Sequence, residues 1–251
     1  MDFQVQGGTT PVVVVALRPG EQVGSEAGEL GWFRGDVSIA TGTGVAGQGG
    51  GFLKAAKRAF GGSFFIQEFT AGGAGGEVTF AAKAPGEIRI IQVEQGRDVV
   101  VHENGLVCFE TGVQLETHFQ KKLGVGVFGG TGFTLQRLSG AGRAAIELHG
   151  DVVEFDLGPG ETLHTHPGHV GLFDATVSLE LTTVPGIKNK VFGGDGLFLT
   201  RLTGPGKVWL QSITLAGLAQ ALAPYLVTNQ EAGEGAAIAT GAAILGGLLK
   251  K

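Results

Sequence analysis

The sequence predicts an all-β protein made of three tandem copies of one small module, packed as a single pseudo-threefold body. Three observations carry this. A motif recurs three times in order. Glycine supplies 47 of 251 residues and recurs at fixed places in the repeats, which marks turns, because only glycine takes positive φ without steric cost. Runs rich in Val, Ile, Leu, Phe and Thr lie between the turns, as in Val12 to Leu17, Val99 to Val101, Val152 to Leu157 and Lys207 to Leu215.

The clearest copy is Phe192 to Gln211, FGGDGLFLTRLTGPGKVWLQ. Phe128 begins FGGTGFTLQRLSGAGRAAIEL and Phe60 begins FGGSFFIQEFTAGGAGGEVTF. Each copy continues through glycines to a charged residue, Glu77, Arg143 or Lys207, and then a second apolar run. An earlier landmark also recurs. Leu17-Arg18-Pro19-Gly20-Glu21 matches Leu157-Gly158-Pro159-Gly160-Glu161, with Val93-Glu94-Gln95-Gly96-Arg97 as a degraded middle copy. The intervals from landmark to Phe-Gly-Gly are 43, 35 and 35 residues. A period near 64 residues is long for a solenoid turn and indicates whole modules.

In chain order, residues 1–10 lead in, and residues 1–226 form one β body. Module one spans about 11–86 and carries an insert in which Phe52, Ala56 and Phe60 fall at helical spacing. Module two spans about 87–151, where His118-Phe-Gln-Lys-Lys122 breaks the apolar pattern and predicts an exposed turn. Module three spans about 152–215 and ends on the strand Val208 to Gln211, whose Trp209 suits a core or subunit contact. In Phe133 to Leu138 and Leu197 to Leu202 the apolar residues change phase, which predicts a bend or bulge. Residues 216–226 carry Leu218, Leu222 and Leu226 at helical spacing, with Pro224 near the end of the short helix. Residues 227–251 form an Ala- and Gly-rich tail whose apolar run, Ala236 to Leu249, closes on Lys250-Lys251. That run is too short to span a bilayer but suits a peripheral membrane or partner contact.

The formal net charge is −5, which argues against a nucleic-acid partner. Cys108 is the sole cysteine, flanked by Val107 and Phe109; it reads as a buried thiol and fits a reducing, cytoplasmic setting. No signal peptide is visible at the start of the chain. Gly42 to Gly47 fits G-x-G-x-x-G, but more glycines follow where a dinucleotide site needs a helix. No G-x-S-x-G elbow, Walker lysine or carboxylate pair stands out, so no catalytic residue and no cofactor are expected.

One cluster offers chemistry. His164, His166 and His169 are half of the chain's six histidines, and His-x-His places two imidazoles on one strand face. They are the candidate metal ligands. Gly158 and the two histidines match the first half of a cupin motif, but Val170 and Gly171 stand where a cupin has Glu. The equivalent places in the other modules hold Gly24, Glu26 and Glu29, and Val100, His102 and Gly105.

SEAGELGWFRGDVSIATG (25–42), LKAAKRAFGGSFFIQEFTA (53–71), PGHVGLFDATVSLEL (167–181) and FGGDGLFLTRLTGPGKVWLQS (192–212) resemble, in order, the altered-inheritance-of-mitochondria protein 24 family. The resemblance implies that each module is a small double-stranded β-helix like the subunit of the tryptophan RNA-binding attenuation protein. It also implies a homotrimeric ring of nine modules, and a scaffolding role tied to inner-membrane organisation and respiratory-complex assembly. It supplies no catalytic residue, and His164 and His166 depart from its pattern. The sequence thus predicts a non-enzymatic oligomeric scaffold with an unknown protein partner. The alternatives are a cupin-like metal protein using the three histidines and a ring-shaped RNA binder.

Overall fold

The computed structural model describes residues 1–42, 66–121, 133–183 and 198–225. The insert helix, the three Phe-Gly-Gly starts at Phe60, Phe128 and Phe192, most of the Gly42–Gly47 motif and the 227–251 tail lie outside them. The described residues are almost wholly strand. In order they are β1 (Asp2–Gln6), β2 (Val12–Leu17), β3 (Gln22–Glu26), β4 (Leu30–Gly42), β5 (Ile66–Ala81), β6 (Gly86–Val93), β7 (Val99–His102), β8 (Leu106–Glu110), β9 (Val113–Lys121) and β10 (Phe133–Gly140). Then come β11 (Gly142–His149), β12 (Val152–Leu157), β13 (Thr162–Thr165), β14 (Val170–Asp174), β15 (Ser178–Thr183), β16 (Phe198–Thr203) and β17 (Gly206–Gln211). One short helix, α1 (Leu215–Leu222), closes the series. Thr214 caps it, its hydroxyl accepting from Gly217 N–H at 2.9 Å.

The pairings follow one pattern three times. Call the strand positions a to f. β6–β11 fill them in order, and so do β12–β17. In the first stretch β2 and β3 are a and b, while β4 covers c and d and β5 covers e and f. Strand f always lies between a and c: β5 between β2 and β4, β11 between β6 and β8, β17 between β12 and β14. Strand e always lies between b and d: β5 between β3 and β4, β10 between β7 and β9, β16 between β13 and β15. All ladders are antiparallel. Three hydrophobic clusters fill the interior, centred on Phe80 and Phe69, on Phe109 and Leu138, and on Phe173 and Leu202.

Two further ladders join the sets. β3, a b strand, pairs with β8, the c strand of the next set. β7 pairs in the same sense with β14. The result is an eight-stranded sheet, the six-stranded order β12-β17-β14-β7-β10-β9, and a three-stranded remainder, β13-β16-β15.

The recurring landmark is one turn. Gly20, Gly96 and Gly160 follow strand a with φ of 80°, 81° and 77°. Glu21 and Glu161 close it by accepting from Arg18 N–H and Gly158 N–H, both at 2.9 Å. A methyl added at any of the three glycines meets no atom within 4 Å, so alanine there is opposed by backbone strain alone. Each Gly→Ala variant should lose about 1–2 kcal/mol in urea unfolding, and the three losses should be alike.

Several sequence expectations meet the coordinates directly. Cys108 is fully buried, Trp209 is partly buried and packs against the cluster around Phe109, and β10 carries a register shift between Leu135 and Gln136. The expected bulge in Leu197 to Leu202 is absent from the described part: β16 pairs with β15 in unbroken register from Ser178↔Thr203 to Thr183↔Phe198. There Thr200 and Leu202 point inward, and the apolar Leu199, just before them, faces the other side with Arg201. The expected turn at His118 to Lys122 is also corrected. β9 runs on through Lys121 as a ladder against β10. It is a sheet edge, and an edge strand tolerates polar and charged residues that a central strand would not.

Candidate functional site

The histidine cluster straddles a strand end. His164 is exposed on β13, opposite Arg201 of β16. A single 3-10 turn, Pro167–His169, follows. Pro167 fixes φ at its first position, and His166 caps it, Nδ1 accepting from Gly168 N–H at 3.2 Å. That bond occupies the Nδ1 lone pair. His169 Nδ1 lies 2.7 Å from the Gln211 carbonyl, a partner that only accepts, so Nδ1 carries the proton. Gln211 completes the brace, donating Nε2–H to the Gly168 carbonyl at 3.1 Å and accepting from His149 N–H at 3.0 Å. The rings of His166 and His169 meet edge to face at 5.9 Å. Burial, with the His169 imidazole nearby, lowers the His166 pKa. So the structure brings two of the three histidines together: His166 closes the turn and His169 ties it to β17. Among the described residues no three His, Cys, Asp or Glu side chains are grouped to hold a metal ion.

A second cluster is buried and was not anticipated. Glu147 and His149 alternate on β11, at 0% and 1% exposure. Glu147 Oε1 accepts from the backbone N–H of Lys83 and of Ala84, each at 3.0 Å, and faces His149 Nε2 at 3.4 Å. Burial opposes ionisation, but the imidazole and the two amides outweigh it and hold the carboxyl below its usual range. Lys83 also pairs with buried Glu29; burial raises the Glu29 pKa despite that ammonium. His102 packs edge to face on His149 at 5.2 Å. Burial lowers its pKa to about 4, with repulsion from His149 adding to the effect. These groups face one another and the backbone, and they clamp the β5–β6 connection to β11. The reason is packing on both faces of the strand. Ala144, Ile146 and Leu148 lie in the cluster around Phe109, while Ala145, on the other face, lies in the cluster around Phe69 and Phe80. Glu147 and His149 share that second face and so are inside; the alternation of β11 alone does not signal it.

Glu26, at the end of β3, is the group to titrate. Burial raises its pKa to about 7, although Gln136 donates Nε2–H to Oε1 at 2.6 Å and Lys83 attracts the charge. A carboxyl raised on folding stabilises fully below its unfolded value of about 4.5 and loses that contribution as pH rises through 7. His102 has the opposite sign: its contribution is present above 6.5 and fades as pH falls toward 4. Glu26→Gln should therefore gain stability relative to the parent as pH rises from 4.5 to 7. Paired urea titrations isolate this, since the His102 contribution cancels in the difference.

The third feature is a pair of uncovered sheet edges. The first half of β4 is a c strand paired only with β5, and β13 is a b strand paired only with β16, among the described residues. Trp32 and Phe33 on that half of β4 are 55% and 43% exposed. Their counterparts Cys108 and Phe109 on β8, and Leu172 and Phe173 on β14, are at most 1% exposed.

The model of the family "Mitochondrial biogenesis AIM24" matches residues 3–213. The chain belongs to the AIM24 family. The match takes in every described strand except the first residue of β1. A solved structure agrees: the X-ray structure of protein SPYM3_0169 from Streptococcus pyogenes superimposes with a TM-score of 0.69 at 20% identity, over 90% of this chain and 99% of that one. At that identity the likeness speaks for the fold. No curated protein matches the chain. Among the described residues, no helix is long and apolar enough to cross a membrane.

Proposed function

We propose that this AIM24 protein is a non-enzymatic, cytoplasmic scaffold that works as a homotrimer and presents its ring to a protein partner. One observation carries the reading: Trp32 and Phe33 are exposed where both equivalent positions in the same chain are buried. Aromatic residues on an open sheet edge are an assembly surface. The cluster of Glu147, His149 and His102 turns inward and serves the fold. The family's name, which links it to mitochondrial biogenesis, fits organisation of other proteins better than turnover of a substrate. The basic end of the tail, Lys250-Lys251, supplies the peripheral membrane or partner contact.

Light scattering tests this. The full chain should have three times the chain mass, and Phe33→Ser should shift it to the monomer. A monomer at every concentration removes the reading. The alternative, metal held by His164, His166 and His169, requires stoichiometric metal in purified protein; elemental analysis that finds none ends it.

A further inference from the structure

We propose that β13 of one molecule pairs antiparallel with the first half of β4 of a second copy, with His164 opposite Phe33, Leu163 opposite Arg34 and Thr165 opposite Trp32. The inference rests on the oligomeric reading above and names its partner and register.

The chain itself supplies the template twice. At the first join Val23, Gly24 and Ser25 of β3 face Glu110, Phe109 and Cys108 of β8. At the second, Val99, Val100 and Val101 of β7 face Asp174, Phe173 and Leu172 of β14. The b strands align through their partners on strand e: Gly24 faces Glu68, Val100 faces Arg137 and His164 faces Arg201. The c strands align by sequence, with Trp32-Phe33-Arg34, Cys108-Phe109-Glu110 and Leu172-Phe173-Asp174 in matching places. In both observed joins the phenylalanine stands opposite the middle b residue. Carried to the third join, that rule fixes the pairs stated above.

The open edges are complementary in what they lack. The second and third sets meet as a six-stranded sheet, with β12, β17 and β14 from one and β7, β10 and β9 from the other. β13, β16 and β15 stop at three strands; they lack the a, f and c strands of a following set. β2, the second half of β5 and the first half of β4 are such a group, with no b strand beside them among the described residues. A second copy completes both. Its pairing also explains the burial contrast, since Phe109 lies against β3, with its ring where a Gly24 side chain would stand, and Phe173 lies against β7. The two surfaces differ, so the contact is head to tail and a ring results when it closes. His164 then sits in the ladder between copies.

The test joins Leu163→Cys with Arg34→Cys in the full chain, which leaves Trp32 and Phe33 in place. Cys108, the chain's other thiol, is fully buried. Mild oxidation should give covalent multimers on a non-reducing gel, ending in a closed species of three chains. Mixing the two single variants should give only dimers. A control, His164→Cys with Arg34→Cys, is one residue out of register, its side chains emerge on opposite faces, and it too leaves Trp32 and Phe33 in place; it should cross-link about tenfold more slowly. If light scattering finds oligomers but the matched pair reacts no faster than the control, this join is wrong and the oligomeric reading survives. If only monomers are found, the oligomeric reading itself fails. Hydrogen exchange on the unmodified protein gives a check free of substitutions. The Glu161 carbonyl accepts from Gly204 N–H, just past the β16 strand that pairs with β13, so by alternation the His164 amide faces the open edge. It should gain protection as concentration rises, and unchanged exchange overturns the join.

Discussion

Phe109→Ala is expected to cost about 3–5 kcal/mol, the range for emptying a filled aromatic site in a packed core. Phe109 is fully buried in the cluster with Val101, Val113, Leu138 and Ile146. It stands against β3, where its ring comes within 2.8 Å of the place a Gly24 methyl would occupy. Glycine at 24 is what lets the ring lie over the strand, and with no side chain it cannot itself fill the space left. Phe33→Ala removes the same side chain from the equivalent position, which is 43% exposed. In dilute monomer it should cost about 0.5 kcal/mol or less, as surface changes do. Urea unfolding of the two variants at low protein concentration gives the comparison. Comparable losses would contradict the claim that cover, and not sequence, distinguishes the two sites.

Glu147→Ala should be nearly as severe, at about 3 kcal/mol or more. Its Oε1 accepts two backbone N–H bonds. Alanine leaves both amides in the interior without that acceptor, and takes away the anion facing His149 and near Lys83. Glu147→Gln keeps an acceptor oxygen but not the charge, and should lose about 1–2 kcal/mol. The ordering Ala worse than Gln, measured at pH 7, separates hydrogen bonding from charge. If Gln is as damaging as Ala, the charge dominates. If Ala costs under 1 kcal/mol, the clamp on the β5–β6 connection is unimportant.

Much of the strand framework is legible in the sequence because its signals are local. Glycine at positions 20, 96 and 160 must take φ near +80°, and this conformation leaves its mark as Pro-Gly or Gln-Gly whatever surrounds it. Cys108 announces its burial through its apolar neighbours. The continuation of β9 past His118 is not local: it depends on β10 accepting the ladder and on the sheet ending there. The same holds for Glu147 and His149, whose burial follows from what covers the second face of β11. The histidine cluster is plain in the sequence, but the contacts that orient two of its rings are not: one of them is made to Gln211, more than forty residues away. The uncovered edges could be seen only once the joins β3–β8 and β7–β14 supplied a rule to compare them with.

Those joins also order events during synthesis. The b strand of each set emerges well before the c strand that will cover it. Between β3 and β8 lie roughly 80 residues, which the ribosome adds in about 4–16 s at 5–20 residues per second. For that time β3 is an exposed template, and the same delay recurs for β7 until β14 appears. For β13, under the head-to-tail pairing, the clock changes character: the wait is set by diffusion of another finished molecule, so it lengthens as expression falls. Polysomes, which keep nascent copies close together, would shorten it.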